Sequence, residues 1–165
     1  MPLQYAEKIN AARSGMARAA PATVGGGAGA ADSPLVSSSK DVKWGAAPPV
    51  LPKGAMMAVL AGDPGAAGPV AVRLKMPAGY KIPAHWHPTD EQVTVLSGTL
   101  ALGMGDKLDK TKGQTLRAGG FGIAPAHMNH YAWTQTGAVI QINLMGLFAL
   151  TYVNPADDPS KAAAK

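Results

Sequence analysis

Short runs of alternating apolar and polar residues fill the chain from residue 42 onward, and glycine, proline or aspartate separates each run from the next. Alternation with a period of two puts successive side chains on opposite faces of a strand, so these runs predict β-strands rather than helices. The predicted strands cover residues 55–60, 70–76, 81–87, 92–96, 99–103, 120–124, 130–134 and 138–150. A set of about eight short antiparallel strands predicts an all-β fold, a jelly-roll antiparallel β-barrel.

The breaks between the runs carry residues that favour turns. Residues 62–65, 77–79 and 118–120 combine glycine with proline, aspartate or a second glycine, and Ser97-Gly98 separates two of the predicted strands. Such residues supply the φ values and side-chain hydrogen bonds that tight turns require. We therefore expect a turn at Ser97-Gly98 to join the strands on either side of it.

The N-terminal part of the chain has a different composition. Residues 17–39 are dominated by alanine, glycine and serine, which offer little apolar surface to bury against a core. We therefore expect a flexible N-terminal extension over residues 1–40. This part also lacks the apolar segment of a signal peptide, which predicts that no leader is cleaved and leaves the localisation open.

Length, charge and cysteine content narrow the function classes. At 165 residues the chain suits one domain, and no apolar run approaches the length needed to cross a bilayer. The net charge of +5 does not indicate nucleic-acid binding, because aspartates are interleaved with the lysines of the densest basic stretch, residues 106–112. The sequence has no cysteine, so histidine and carboxylate are the strong metal ligands that remain.

The first candidate site is a His-x-His sequence near the end of a predicted strand. His85 and His87 are two residues apart, so both imidazoles lie on one face of the strand while Trp86 lies on the other. Glu91 begins the next run, where alternation places it on the same side as Val93. Its carboxylate is therefore expected to face the apolar interior together with the two histidines.

A third histidine begins a later strand. His130 follows a turn that contains Pro125, and in a barrel a second hairpin at that position can close the site from the opposite wall. Neutral imidazole and carboxylate suit iron, manganese, copper, nickel, cobalt or zinc. Four protein ligands in an octahedral field would leave two positions for water, dioxygen or substrate.

The sequence around these residues resembles the cupin family. Residues 79–98 look like the first cupin motif, because Gly79, the His-x-His pair, Glu91 and Gly98 have its spacing. The second motif is matched in part, with Gly119, Pro125 and His130 in place.

Two residues depart from the second cupin motif. His127 replaces its second glycine, and Thr134 replaces its asparagine. Histidine tolerates the left-handed turn that the glycine would form, and threonine still offers a hydroxyl group. The resemblance implies one divalent transition-metal ion per chain, with iron, manganese or copper favoured and zinc or nickel as alternatives. The four metal ligands that it implies are His85, His87, Glu91 and His130.

The resemblance covers residues 41–159, which form the expected barrel domain, and it leaves residues 160–165 as a C-terminal tail. The ending, residues 151–159, looks like that of small single-domain bacterial cupins, many of which are exported. Small cupins often pair through edge strands, so the resemblance also implies a homodimer.

Other conspicuous side chains have structural explanations. Trp86, Tyr131 and Trp133 alternate out of phase with the ligands, so we expect them on the outer face of the barrel or at a dimer interface. Scattered methionines are typical of adaptable core filling. They include Met56, Met57, Met104, Met128 and Met145.

Few groups on the predicted inward faces can transfer protons. The candidate catalytic residues are Glu91, Tyr80 and His127, with Ser97 and Gln141 as further polar neighbours. So short a set favours chemistry that the metal supplies. The sequence therefore predicts a metal-dependent oxygenase or oxidase that acts on a small organic or carbohydrate-derived substrate.

Two alternatives remain open at the level of sequence. The same fold can serve as a non-catalytic module that binds or senses a metal or a small ligand. A metal-dependent isomerase or lyase would require Tyr80 or His127 to point at the open metal positions.

Overall fold

The computed structural model describes residues 38–162, and ten β-strands lie within them. The strands are β1 (Gly45–Ala46), β2 (Met56–Ala61), β3 (Gly68–Met76), β4 (Lys81–Trp86), β5 (Glu91–Met104), β6 (Gln114–Arg117), β7 (Phe121–Ala124), β8 (His130–Trp133), β9 (Ala138–Gly146) and β10 (Thr151–Tyr152). The helical segments are two 3-10 turns, Ser39–Asp41 and Pro155–Asp157, and the short α-helix Pro159–Ala162. The predicted all-β fold is confirmed.

The strands form one curled antiparallel sheet. Its order is β1-β2-β3-β9-β5-β8-β4-β10, and β6 and β7 pair with β5 beside this path. The longest ladder joins β3 to β9 from Gly68↔Gly146 to Met76↔Ala138, which fixes the register of the barrel's central wall. Strands β1 and β10 end the sheet, and the homodimer expected through an edge strand stays a prediction.

Strand β5 connects the two halves of the barrel. Its first part, from Glu91 to Gly98, pairs with β9, whereas its last part, from Ala101 to Met104, pairs with β8. The register shifts between Val95 and Ser97, and such a bulge lets a strand bend from one sheet into another. The turn predicted at Ser97-Gly98 is therefore wrong, because the chain continues there as one bent strand.

Gly98 makes this bend possible. Its φ is 74°, and a Cβ atom at this position would lie 2.1 Å from the carbonyl oxygen of Gly137. Any larger residue would meet both the unfavourable left-handed backbone and a direct collision. The glycine that the sequence placed in a turn instead allows two strands to approach at a corner of the barrel.

The hydrophobic core lies inside the barrel and follows the predicted alternation. In β3, Val72, Leu74 and Met76 are buried, whereas Arg73 and Lys75 between them are not. The inner faces of β5 and β9 add further branched side chains. They include Val93, Val95, Ile140, Ile142 and Leu144.

A second, smaller cluster lies on the outer face of the sheet. Tyr131 and Trp133 stack with ring centroids 6.0 Å apart and are buried with Ala84 and Ala101. The loop before β6 covers them, since Leu108 packs on the cluster and the Tyr131 hydroxyl donates to the carbonyl of Asp109. The expected position of Tyr131 and Trp133 on the outer face, opposite to the ligands, is confirmed. The loop before β6 buries both rings within a single chain.

The methionines do not all fill the core as the sequence analysis expected. Met57 packs against the core, whereas the other four of the five are exposed by 38% or more. These four are Met56, Met104, Met128 and Met145. Met145, for example, follows the inward Leu144 in β9 and therefore faces outward by strand alternation.

The ends of the chain extend past the described residues. The flexible extension predicted for residues 1–40 lies outside them except for residues 38–40, and of the tail predicted for residues 160–165 only residues 160–162 are described. Among the described residues, no helix has both the length and the apolar character needed to cross a membrane.

Candidate metal centre

Three histidines meet inside the barrel. His85 ends the inward face of β4, His87 follows directly after this strand, and His130 begins β8 as the register partner of His85. The ring centroids lie 4.3 Å apart for His85 and His130 and 5.0 Å apart for His85 and His87. Each histidine is exposed by 3% or less, so the predicted meeting of two hairpins takes place in the core.

Backbone carbonyl groups orient all three imidazoles. The Nδ1 atoms of His85, His87 and His130 lie 2.7, 2.7 and 2.9 Å from the carbonyl oxygens of Pro83, Ala149 and Met128. A neutral imidazole bonded in this way carries its proton on Nδ1 and keeps a lone pair on Nε2. The same arrangement orients histidine ligands in metalloproteins.

Two of the Nε2 atoms have no hydrogen-bond partner although they are buried. They belong to His87 and His130. A buried polar atom without a partner is costly, and a metal ion bound to the lone pair would remove this cost. One ring nitrogen from each of His85, His87 and His130 lies within 4.8 Å of the other two, close enough to share an ion after a small adjustment.

Glu91 lies beside the three histidines. It begins β5, where it pairs with Leu144 of β9 on one side and Ala124 of β7 on the other, and it is only 7% exposed. Its Oε2 atom lies 3.6 Å from Nε2 of His87 and 3.5 Å from Nε2 of His130. The carboxylate thus faces the same point as the two unpartnered lone pairs.

The environment sets the charge of these groups. Burial is the main reason why the pKa of His85 falls to about 3, and the neighbouring histidines lower it further. Burial alone would raise the pKa of Glu91, but its contact with His130 and the nearness of His87 outweigh this effect and hold the pKa below its ordinary value. At neutral pH the site therefore presents a neutral imidazole at His85 and an ionised carboxylate, which are the forms that bind a metal.

These residues fit a transition-metal ion. Imidazole nitrogen and carboxylate oxygen suit iron, manganese, copper, nickel or zinc, and the absence of cysteine removes the soft thiolate ligand. Three histidines can hold such an ion in this fold, and Glu91 would complete the four ligands that the sequence implied.

Apolar side chains line the rest of the cavity around this site. The strands contribute Leu74, Met76, Ile82, Val93, Leu100, Leu102, Ala132, Ile140 and Ile142, and Leu51, Phe148 and Leu150 complete the wall. The three histidines and Glu91 are the polar side chains among the described residues that line it. The cavity thus contains no lysine, no arginine and no second carboxylate from residues 38–162.

The other two candidate catalytic residues lie outside this cavity. The Tyr80 hydroxyl donates to the carbonyl oxygen of Pro52, and burial raises its pKa to about 12. His127 is exposed, with its ring centroid 5.2 Å from that of Trp86. Neither residue is among those that line the cavity, so the geometry gives no support to a proton transfer from them at the metal.

His127 nevertheless supports the site through its backbone. Its φ is 61°, and among the described residues it is the one non-glycine residue with a positive φ. In this conformation its N–H group donates to the carbonyl oxygen of His87 at 2.8 Å. The left-handed turn expected from the replaced glycine is therefore present, and it anchors the chain next to a candidate ligand.

Two further polar neighbours that the sequence placed near the site face elsewhere. Gln141 lies between the inward Ile140 and Ile142, so it points outward and accepts a hydrogen bond from Arg73. Ser97 is exposed beyond the bulge in β5. The expectation of inward positions for these two residues is wrong. Thr134, by contrast, uses its hydroxyl as expected and accepts from the N–H of Gly137.

Sequence reasoning missed the segment that covers the site. Residues 147–150 were expected to continue a strand, but β9 ends at Gly146 and the chain leaves the sheet. Phe148 and Leu150 then line the cavity, and the carbonyl of Ala149 orients His87. The run of apolar residues gave no sign of this change, because such a run also fits a buried strand.

Comparisons with known proteins identify the family of the chain. The chain matches the profile of one protein family over residues 29–151, and the description of that family is "Domain of unknown function (DUF4437)". No curated protein matches the chain.

Several solved structures have a similar fold. A proposed acetylacetone dioxygenase from Methylibium petroleiphilum PM1 is 19% identical with a TM-score of 0.60, and the match covers 84% of this chain and 99% of that one. The polyketide cyclase RemF from Streptomyces resistomycificus is 18% identical with a TM-score of 0.59, covering 79% and 92%. An RmlC-like cupin from Shewanella frigidimarina NCIMB 400 is 18% identical with a TM-score of 0.54, covering 68% and 91%. At these identities the likeness concerns the fold, which is that of the cupins.

Proposed function

Because the chain belongs to the DUF4437 family and has the fold of the cupins, we propose that it is a metal-dependent oxygenase or oxidase of a small organic substrate. The proposed ligands are His85, His87, Glu91 and His130. The ion that they bind would be a single divalent transition metal, with iron, manganese or copper favoured.

The observation that carries this proposal is the scarcity of proton-transfer groups around the ligands. Among the described residues, the cavity wall is apolar except for the ligand set itself. Lyase and isomerase reactions need a general acid or base within hydrogen-bond reach of the substrate, and Tyr80 is already bonded to Pro52. An oxidation would require fewer proton-transfer groups from the protein, because a redox-active metal held by His85, His87, Glu91 and His130 would supply the activation of dioxygen.

The residues of the chain have separate tasks in this proposal. The three carbonyl acceptors hold the imidazoles with Nε2 directed inward, so that the ligands need little reorientation when the ion binds. The carboxylate of Glu91 lowers the net charge of the site and can take up or release a proton at Oε2. The apolar wall excludes water and so protects reactive species from side reactions.

A second function has one specific observation in its favour. The cavity has a volume of only about 30 Å³, which is room for one or two water molecules. A module that binds the metal without turnover needs no more space than this. The two functions differ in oxygen consumption, which the non-catalytic module would not support with any metal.

The test is an oxygen-consumption screen of the full chain. Metal-free protein is loaded separately with iron(II), manganese(II), copper(II) and zinc(II), and each form is mixed with a β-diketone, a phenol, a thiol and a sugar-derived compound. We expect oxygen uptake with at least one redox-active metal and one substrate class. His130→Ala should abolish this uptake, and the matched variant His127→Ala, which removes an exposed histidine three residues away, should preserve it.

The outcomes separate the two functions. Uptake that depends on His130 and on a redox-active metal supports the oxygenase or oxidase. Protein that binds one metal ion per chain but consumes no oxygen with any substrate contradicts the oxygenase or oxidase and favours the non-catalytic module. Uptake that persists in His130→Ala would place the chemistry elsewhere.

A further inference from the structure

The cavity beside the metal ligands is too small for an organic substrate. Its volume of about 30 Å³ accommodates one or two water molecules, and part of this space would belong to the ion. An organic molecule with several carbon atoms therefore requires that a part of the wall moves. The position of that part decides which molecules can reach the ligands.

Most of the wall is held in place by strand pairing. Its residues on β3, β5 and β9 lie in strands with hydrogen-bonded neighbours on both sides, such as Leu74, Val93 and Ile142. Displacing one of them would break several ladder hydrogen bonds at once, and a packed sheet resists such a deformation.

Three apolar wall residues lie outside the strands. Leu51 is in the loop between β1 and β2, and Phe148 and Leu150 are in the segment between β9 and β10. Phe148 and Leu150 are only partly buried, whereas Leu51 is 4% exposed. The carbonyl groups of Val50 and Pro52, the neighbours of Leu51, accept hydrogen bonds from Tyr152 and Tyr80. Two hydrogen bonds in the described part of the chain join the segment between β9 and β10 to its surroundings: the N–H of Phe148 donates to the carbonyl oxygen of Pro64, and Nδ1 of the His87 side chain donates to the carbonyl oxygen of Ala149.

The chemistry of the passage restricts what it admits. Phe148 and Leu150 are apolar, and among the described residues that line the cavity Glu91 is the one carboxylate. Among the described residues no cationic side chain lies in this lining, so an anion would lose its hydration along the wall before it reached the metal ion. An uncharged molecule meets no such cost, and its apolar part can pack on the ring of Phe148.

From these observations we infer that Phe148 and Leu150 form the movable entrance of the metal cavity and select compact, uncharged, largely apolar molecules. This inference rests on the metal centre of the proposed function, but it does not depend on the reaction. It assigns the selection of the substrate class to the side chains of Phe148 and Leu150.

The test measures how fast two chelators remove zinc from the loaded protein. 8-Hydroxyquinoline and 8-hydroxyquinoline-5-sulfonate share the same donor atoms, and the second adds a negative charge. Both form coloured zinc complexes, so the rate is followed by absorbance at several chelator concentrations. We expect the rate with the uncharged chelator to rise with its concentration and to exceed the rate with the sulfonate.

Variants then locate the entrance. Phe148→Ala and Leu150→Ala should each speed removal by the uncharged chelator about tenfold, because they delete apolar contacts that keep the cavity closed. Leu147→Ala is the matched control, since Leu147 is in the same segment but is 52% exposed and does not line the cavity. Phe148→Leu retains most of the filling and should give an intermediate rate even if Phe148→Ala does not fold.

The possible results have distinct meanings. Equal rates with the two chelators, rates that do not depend on chelator concentration, or an equal effect of Leu147→Ala would each overturn the inference. Protein that takes up no metal would overturn the proposed function and the inference with it. Protein that shows the expected rates but consumes no oxygen would contradict the proposed reaction alone and leave the entrance established.

Discussion

The backbone carbonyl of Ala149 lies 2.7 Å from Nδ1 of His87, although the two residues are 62 positions apart in the chain. Ala149 belongs to the segment that covers the cavity, and His87 is a candidate metal ligand. One hydrogen bond therefore joins the closure of the cavity to the orientation of the ligand. The ring of Phe148, 6.2 Å from that of His87, adds an apolar contact between the same two parts.

The first prediction concerns the ligands. His87→Ala and His130→Ala each delete an Nε2 atom that has no other partner, so each should weaken metal binding by more than about 100-fold. Elemental analysis after dialysis at a fixed free metal concentration measures the effect. His127→Ala is the control and should retain the metal. Loss of the metal from this variant would show that the ligand set is wrong.

The second prediction concerns the backbone at His127. Its φ of 61° is unfavourable for any residue with a Cβ atom, by about 1 kcal/mol or more. His127→Gly should therefore be more stable than His127→Ala by about this amount, although both variants lack the imidazole. Urea denaturation of the metal-free variants measures the difference. Equal stabilities would contradict a cost of the left-handed backbone for a residue with a Cβ atom at this position.

The third prediction concerns the bend in β5. Gly98→Ala should lower the free energy of unfolding by at least about 2 kcal/mol more than Gly79→Ala does. Both glycines have a φ near 75°, but a Cβ at Gly79 would have no atom within 4 Å, whereas at Gly98 it would collide with Gly137. Chemical denaturation gives both values, and similar losses in the two variants would contradict the close approach at the barrel corner.

The fourth prediction concerns the pH dependence of the metal-free protein. The pKa of His85 is about 3 in the folded state and about 6.5 when unfolded, so the unfolded state binds the proton first as the pH falls. The free energy of unfolding should then decrease from pH 6.5 downward, by up to about 1.4 kcal/mol per pH unit for this group.

The variant His85→Gln isolates this contribution. It cannot take up the proton, so its stability should fall less steeply below pH 6.5 than that of the unaltered chain. Denaturation curves at a series of pH values provide the comparison. Identical slopes for the two proteins would contradict the burial of a neutral imidazole at this position.

The sequence predicted the parts of the fold and site that depend on local alternation. A period of two places His85 and His87 on one face of their predicted strand. The same period places Trp133 on the opposite face of β8 from His130. The left-handed turn at His127 could also be predicted, because a residue in the place of a glycine must adopt the glycine's backbone conformation.

Features that depend on tertiary contacts could not be predicted in this way. A bulge changes the face on which later residues lie, so the alternation that placed Ser97 inward failed beyond Val95. The apolar residues Phe148 and Leu150 resemble a continuing strand, and only the packing of the chain across the barrel mouth distinguishes them from one. The carbonyl acceptors of the histidines are backbone atoms, which leave no signature in the sequence.

The central claim is that His85, His87, Glu91 and His130 hold one transition-metal ion inside the barrel. Anomalous X-ray scattering from crystals of the metal-loaded full chain, recorded on both sides of the absorption edge of the metal, tests it most directly. We expect a single peak per chain at about 2.0–2.3 Å from the three Nε2 atoms and from one carboxylate oxygen of Glu91. A peak at any other group of residues, or the absence of a peak between these four side chains, would contradict the account.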